Sequence, residues 1–518
     1  MIIATDVNTM RHSDAMTIKN SIPSRELVRR GGEAVFRSYG KWNKTAVVCG
    51  TGNNGADGYV LALSIAASGK DAKIFLLEEK FSADGAYYFD LCKKAGIPYE
   101  IYRENTDFSE FDTVADCIFG TGFRGTVEGR AAKCIEDINR TSKFTVSADI
   151  NSGLCGDSGR VCGVCVSSDL TVSVGFYKPG HFLCDAKDNI KKLTNVDIEI
   201  ALYGDAVYIP ESGDFSEILP VRTQNTHKGN YGYVAVLGGC REYLGAAKLA
   251  NLSMSALRCG CGVAKLAVPK SLCDFVAPHI LESTLFPMPD NDGKMIFDKN
   301  SLDALCKNTR AVACGMGWGS SVEYEKILSY LFENYSGTLI IDADGLNTLA
   351  QMDKSILAEC RPQGVILTPH VMEFSRLSGL SCDEILKDPV GCAKKYAARF
   401  CGKVTLLLKG RATVITDGNT TYITDRGCAG MATAGSGDVL SGILSGIMGY
   451  NFPSVKAVAC GAFIAGAAGE LAGKEMGDIS MTSSDTVRYL PWAVKIARGC
   501  ENDKTENVLI DDMANCQP

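Results

Sequence analysis

Short apolar runs separated by stretches of helical periodicity recur along almost the whole chain. Thr45–Cys49, Ala72–Leu77, Thr113–Phe119, Phe144–Ile150 and Leu170–Phe176 each read as a buried strand, because largely apolar residues run together and then stop at a polar or glycine-rich turn. Before them, Met10–Phe36 predicts two helices around Ile22-Pro23-Ser24, with Ser24 as N-cap and Pro23 just outside. A polar, proline-punctuated stretch from Asp205 to Val221 reads as a linker, after which the rhythm restarts. Strands are predicted at Tyr233–Leu237, Val263–Val268, Ala311–Gly315, Leu339–Asp342, Gly364–Leu367 and Val404–Leu408, with a helix from about Leu244. Ala412–Thr424, centred on Asp417-Gly418, predicts a β-hairpin that breaks the alternation. The apolar run Val439–Tyr450 suits a closely packed helix, since Ser441, Gly442, Ser445, Gly446 and Gly449 are small. Strand and helix patterns in alternation predict α/β architecture throughout: a Rossmann-like three-layer α/β/α sandwich over 1–212 and a second α/β domain over 213–500. The acidic, polar segment 501–518 is expected to be a disordered tail.

Open parallel sheets bind ligands beyond the carboxyl ends of their strands, and the chemistry-bearing residues gather there. Gly50, Gly52 and Gly55 satisfy G-x-G-x-x-G after a strand, yet Asn53, Asn54 and Asp57 stand where a dinucleotide fold keeps small or apolar residues. Two amides and a carboxylate suit sugar hydroxyls or a hard monovalent cation, and each residue singly also suits a plain turn. Asp116, Asp149 and Ser152 close later strands of the same sheet. In the second half the strands end in Gly315-Met-Gly-Trp-Gly319, Asp342-Ala-Asp344, Thr368-Pro-His370 and Lys409-Gly-Arg411. Gly435-Ser-Gly-Asp438 then opens the last apolar helix. Unpaired N–H groups and the helix dipole attract phosphate at such an end. Asp438 on the first turn is placed to take a proton from a substrate hydroxyl, or else merely caps the helix. Together these features suggest phosphoryl transfer to a hydroxyl.

Composition narrows the partners. A net charge of −7 over 518 residues argues against nucleic acid and anionic membranes, while leaving room for small anions held by backbone amides. The most apolar tract, Ala457–Ala468, is too short to span a bilayer. No basic segment followed by an apolar core marks the N-terminus, so a cytoplasmic protein is expected, with its 22 cysteines reduced. Cys162-Gly-Val-Cys165, with Cys155 nearby, has no second pair or histidine to complete a zinc set.

Met10-Arg11, Asn53-Asn54-Gly55-Ala56-Asp57, Asp116-Cys-Ile-Phe-Gly120 and Asp149-Ile-Asn-Ser152-Gly153 resemble the YjeF N-terminal domain, the NAD(P)H-hydrate epimerase. The resemblance implies substrate contacts at Asn53, Asn54, Gly55, Ala56 and Asp57, along Gly120, Thr121, Gly122, Phe123, Arg124, Gly125 and Thr126, and at Asp149. It further implies a potassium ion held by Asn54, Asp116 and Ser152, and it makes Asp149 the first candidate for the acid/base, with Asp57 next. Ala56 and Asn151 depart from the glycine and proline usual there.

His227-Lys-Gly-Asn-Tyr-Gly232, Tyr243-Leu-Gly-Ala246, Asp342-Ala-Asp344-Gly-Leu-Asn347, Thr368-Pro-His370 with Glu373-Phe374, Lys409-Gly-Arg-Ala-Thr413 and Gly435-Ser-Gly-Asp438 resemble the ribokinase superfamily, in its ADP-dependent NAD(P)H-hydrate dehydratase branch. That implies a ribokinase-like C-terminal domain, hydrate contacts at Ala246, Gly317, His370 and Asp438, and nucleotide contacts at Lys409, Gly410, Arg411, Ala412, Thr413 and Gly437. Met316 and Trp318 replace the commoner residues of the glycine loop, and Ser436 keeps the hydroxyl of the usual threonine. The implied partners are NAD(P)H hydrates and ADP, with Mg2+ expected on the diphosphate and a homo-oligomeric assembly. The alternative is a kinase for a vitamin precursor or sugar, joined to a non-catalytic nucleotide-binding domain.

Overall fold

The computed structural model describes residues 1–219, 221–255 and 258–500; the expected tail at 501–518 lies outside them. The chain divides into two compact units. One comprises Ile3–Val207 with Leu386–Asp388, and the other Met1–Ile2, Tyr208–Ile385 and the residues from Pro389 on.

In the N-terminal unit, α1 (Val7–Asn20) starts where the Asp6 carboxylate accepts the N–H groups of Asn8 and Thr9. Helix α2 (Ser24–Ser38) follows Pro23, with Ser24 as its first helical residue rather than its cap; the Ser24 hydroxyl donates instead to Asp84, 2.6 Å away. The strands are β1 (Lys44–Cys49), β2 (Asp71–Leu76), β3 (Tyr99–Ile101), β4 (Thr113–Cys117), β5 (Thr145–Ala148), β6 (Leu170–Val174) and β7 (Leu193–Val196). They pair in the order β3-β2-β1-β4-β5-β6-β7, all parallel. Strands β4, β5 and β6 end two residues sooner than their apolar runs, so Asp149 lies just past its strand while Asp116 is still within one. Helix α3 (Asn53–Ala67) runs back from β1, and α2 packs on it at backbone distance. A methyl group on Gly32 would come within 2.5 Å of both the Asp57 carbonyl oxygen and the Val60 Cβ.

The C-terminal unit has its own sheet. After β8 (Tyr233–Leu237) and α4 (Leu244–Ser255) come β9 (Val263–Pro269), β10 (Thr284–Met288), β11 (Thr309–Cys314), β12 (Thr338–Ile341), β13 (Gly364–Leu367) and β14 (Val404–Leu408). The order β14-β13-β12-β11-β8-β9-β10 is parallel throughout, and the hairpin of β15 (Thr413–Thr416) and β16 (Thr421–Thr424) is added antiparallel beside β14. Its loop is four residues rather than two, closed by Asp417 accepting from the N–H groups of Asn419 and Thr420. Helices α5 (Ser436–Met448) and α6 (Val455–Met476) fill the core. Helix α6 is the one described helix long and apolar enough to cross a membrane, and most of that apolar stretch is buried inside this unit. The expected linker is partly core: Phe215 and Leu219, one helical turn apart, are buried there. Every described cysteine is a free thiol, many of them in the two cores.

Because a Gly32→Ala methyl would meet backbone rather than a flexible side-chain end, overpacking outweighs the gain of about 1 kcal/mol in helix propensity. We expect a net loss of roughly 2 kcal/mol, read from urea unfolding of the N-terminal unit's transition.

Candidate active sites

The carboxyl ends of β1, β4, β5 and β6 open onto a cleft of about 480 Å³, lined among others by Asp14, Asn53, Asn54, Asp57, Asp149 and Lys178. Asp149 is held in the left-handed region at φ +66°, unusual for a residue with a Cβ. One carboxylate oxygen accepts the Thr121 N–H at 3.0 Å and the other accepts the Lys178 ammonium at 2.5 Å. Lys178 has no exposed side-chain surface, and its Nζ also donates to the Val174 carbonyl at 3.0 Å. Burial alone would push Asp149 up, but Lys178 overrides it and holds the carboxyl below its ordinary range. His181 Nδ1 accepts the Lys178 N–H at 3.1 Å, so Nε2 carries the proton and donates to the Asp149 carbonyl oxygen at 2.9 Å. Burial and the neighbouring ammonium push that imidazole down to about 3, which keeps it neutral.

Two other carboxyls facing the same cleft are shifted in the opposite direction. Burial, then repulsion by Asp149 and Asp14, raises Asp57 well above the carboxylate range. Burial likewise lifts Asp14 to about 6, with Lys178 opposing.

The residues expected to hold potassium come from three strand ends. Fully buried Asp116 accepts from Ile118 N, Ser147 Oγ and both the N–H and hydroxyl of Ser152, at 2.5 to 3.2 Å. Burial pushes its carboxyl up against the pull of these donors. Asn54 is buried with neither its amide oxygen nor its nitrogen hydrogen-bonded. An orphaned amide oxygen, a buried carboxylate and a hydroxyl are, by chemistry, a donor set that fits a hard monovalent cation.

Gly120, Thr121, Gly122 and Phe123 line the cleft, whereas Gly55 and Ala56 turn inward and Arg124, Gly125 and Thr126 are exposed outside it. Arg124 folds back, donating to the carbonyls of Thr121 and Phe123.

In the C-terminal unit, Asp342 follows β12 and is almost fully buried. It accepts Lys409 Nζ at 2.9 Å on one oxygen and Ser441 Oγ at 2.9 Å on the other. Burial would raise Asp342; Lys409 outweighs it and holds the carboxyl low. Lys409 also approaches Glu373 at 3.9 Å, and its own pKa is raised, the attraction of Asp342 exceeding the effect of burial. Helix α5 starts above this pair: a methyl on Gly437 would lie 3.3 Å from Lys409 Nζ and 3.5 Å from Asp342. Gly435 at φ +93° turns the chain into the helix with no side chain capping it. Asp438, on the first turn, is raised to about 7, first by burial and then by Asp342 and Asp344.

His370 pairs with Lys409 through an isolated parallel bridge and caps the following helix (Val371–Ser378), its Nδ1 accepting the N–H groups of Met372 and Glu373. Ala246 and Gly317 line an open pocket with Asp344, whose carboxylate accepts the Gly319 N–H at 2.8 Å. Gly315, Gly317 and Gly319 all have positive φ, which turns Met316 and Trp318 into the core. The Trp318 indole donates to the Leu237 carbonyl and stacks on Tyr324, so neither departure from the common loop sequence reaches the pocket. Gly410 and Arg411 are exposed, while Ala412 is buried at the start of the hairpin.

Sequence reasoning missed Asp14, Lys178 and His181 in the first site, and Ser441 with the pairing role of Asp342 in the second. Lys178 carried one signal: it stands just after an apolar strand, where a cationic head has no reason to be buried unless a partner awaits it.

Each unit is therefore a parallel α/β sheet with its charged groups at the carboxyl pole, and together they define a class: a Rossmann-like sandwich joined to a ribokinase-like domain. A family described as YjeF-related protein N-terminus matches residues 25–180, and one described as NAD(P)H-hydrate dehydratase matches 234–491. The bifunctional NAD(P)H-hydrate repair enzyme Nnr of Thermofilum pendens is 35% identical over 466 residues, covering 88% of both chains. That of Moorella thermoacetica is 32% identical over 499 residues, covering 92% of this chain and 93% of its own. Among solved structures, an ADP/ATP-dependent NAD(P)H-hydrate dehydratase from Bacillus subtilis is 26% identical over 54% of this chain and 94% of its own, with a TM-score of 0.45. The chain belongs to the family of bifunctional NAD(P)H-hydrate repair enzymes.

Ala343, between Asp342 and Asp344, is held at φ +50° and ψ −120°, a region that suits glycine. Ala343→Gly is expected to raise stability by about 1 kcal/mol, strain relief exceeding the entropic cost of glycine, and to lower turnover by loosening the two carboxylates it separates. Urea unfolding beside steady-state rates tests both; unchanged stability would mean the position is not strained.

Proposed function

We propose that the chain repairs hydrated nicotinamide cofactors in two steps, epimerising R- and S-NAD(P)HX and dehydrating the S form at the expense of ADP to give NAD(P)H, AMP and phosphate. The N-terminal domain, about 1–212, takes the first reaction and the C-terminal domain, about 213–500, the second.

The observation that carries the dehydration is Asp438 at the start of α5, above the Lys409–Asp342 pair. Hydroxide is a poor leaving group from the hydrated ring. Asp438 takes the hydroxyl proton as that oxygen attacks the terminal phosphorus of ADP, and AMP departs. The ring nitrogen's lone pair then expels phosphate, and loss of a proton from the adjacent carbon restores the ring double bond. A carboxyl lifted to about 7 by burial holds a proton weakly enough to release it and strongly enough to take it. The free N–H groups at the helix start and the Lys409 ammonium oppose the charge that develops on the transferring phosphoryl. His370, Ala246 and Gly317 are assigned to the hydrate, and Lys409 to Thr413 with Gly437 to the nucleotide. Mg2+ on the diphosphate supplies further charge neutralisation when bound.

In the epimerase domain, Asn54, Asp116 and Ser152 would hold potassium, which supplies a fixed positive charge beside the cleft. The orphaned Asn54 amide supports that assignment. Asn53, Asp57, Asp149 and the Gly120–Phe123 loop are assigned to the substrate.

Two measurements test this reading. ADP-dependent recovery of NADPH absorbance from the S hydrate is expected to rise with pH and level off above about 7, because the base must be ionised. Asp438→Asn should cost roughly 10²–10⁴-fold in that rate while leaving epimer exchange intact. Accumulation of a stable phosphorylated compound, without AMP and NADPH in equal amounts, would instead support a small-molecule kinase.

A further inference from the structure

We propose that Asp57 is the proton donor of the N-terminal site, that Asp149 is its permanently charged companion rather than an acid, and that Lys178 and Asp14 set this division. This assignment deepens the epimerase reading and rests on it.

The geometry separates the two carboxyls. Both oxygens of Asp149 are taken by donors, one by the Thr121 N–H and one by the ammonium of Lys178. A carboxylate held by an ammonium and an N–H has no proton to give, and its remaining lone pairs can only accept. Lys178 is buried without exposed surface, and Asp149 is its only carboxylate within ion-pairing distance among the described residues, so the two are held against each other. Asp57 lines the same cleft from the second turn of α3, and no side-chain hydrogen bond joins it to the described residues. Helix α2 presents Gly31 to it; a methyl there would stand 2.9 Å from Asp57 Oδ1, so the carboxyl occupies the space a side chain would fill. The titratable groups facing Asp57 are Asp14 from α1, Asp149 after β5 and Lys178 after β6. Two carboxyls and one lysine give this pocket a surplus of negative charge that is relieved by keeping a proton, and Asp57, with burial and without a partner, is where it resides.

The step this permits is balanced in protons. Asp57 gives its proton to the substrate hydroxyl as the carbon–oxygen bond breaks, the electron pair leaving with oxygen as water. The ring nitrogen's lone pair forms a carbon–nitrogen double bond, and the ionised Asp149 stands near the resulting cation. Water adds to the opposite face of the same carbon, and its surplus proton returns to the Asp57 carboxylate. The substrate is neither oxidised nor reduced, and water is both released and consumed. It is the pattern of two carboxyls in one site whose surroundings drive them to opposite protonation states.

The test uses the full chain, with epimer exchange followed by chromatography without ADP and ADP-dependent dehydration of the S form as the control for folding. Asp57→Asn is expected to slow exchange by roughly 10²–10⁴-fold with dehydration retained. The wild-type exchange rate should fall at high pH as Asp57 loses its proton. Asp14→Asn removes a charge that favours the protonated form, so that falling limb moves to lower pH; Lys178→Met removes the charge that opposes it, and the limb moves to higher pH. A lysine that only braces the fold would lower the rate without moving the limb. Exchange in Asp57→Asn within about threefold of wild type, or a limb unmoved in both Asp14→Asn and Lys178→Met, overturns the assignment; should Asp57→Asn fail to fold, the two limb shifts decide it. Wild-type protein that leaves the R hydrate unconverted overturns the epimerase reading itself, a separate result.

Discussion

Both units depend on one arrangement: a carboxylate just past a parallel strand, ion-paired with a lysine just past another. Asp149 and Lys178 form it in the first unit, Asp342 and Lys409 in the second. Taking two charges out of water costs several kcal/mol unless their remaining hydrogen-bonding capacity is met. Here it is met by neighbouring groups: Thr121 N–H and the Val174 carbonyl around one pair, Ser441 of α5 and Thr368 around the other. The backbone bends to make this possible. Asp149 and Ala343 both take positive φ without being glycine, and each lies at the turn that aims the acidic partner inward.

From these pairs the electrostatics of each site follow. A fixed carboxylate beside a second carboxyl raises the second, since the low-dielectric surroundings screen neither. Burial first, and then Asp342, lifts Asp438 to about 7; burial lifts Asp14 to about 6 against the pull of Lys178, with Asp149 adding a smaller push. In the C-terminal unit this suits the role of base proposed for Asp438. In the N-terminal unit it stores a proton. The same kind of ion pair thus stands behind both of the opposite proton movements proposed.

Much of the architecture was legible in the sequence, because fully buried parallel strands are apolar on both faces and stop abruptly. Tyr233–Leu237, Gly364–Leu367 and Val404–Leu408 begin and end where their runs do. Strand ends such as Thr113–Cys117 were read two residues long, since apolar residues continue past the last ladder bond to pack beneath the turn. The glycine-led start at Gly435–Asp438 was legible because its chemistry is local. The ion pairs were not, because Asp149 and Lys178 are 29 positions apart and Asp342 and Lys409 are 67 apart, and only the strand order brings them together. Trp318 shows the converse: a large residue in a glycine loop looks like a pocket wall until the alternating positive φ values send it into the core.

The free cysteines carry a consequence for handling. Burial raises thiols such as Cys49, Cys117 and Cys460 well above their usual range, so in the folded chain they are poor nucleophiles and slow to oxidise. Unfolding removes that protection from all of them at once. An opened molecule in air can then form wrong disulfides faster than it refolds. The useful lifetime of the protein under oxidising conditions is accordingly set by the rate at which it opens, and a thermal midpoint recorded without reductant would depend on heating rate.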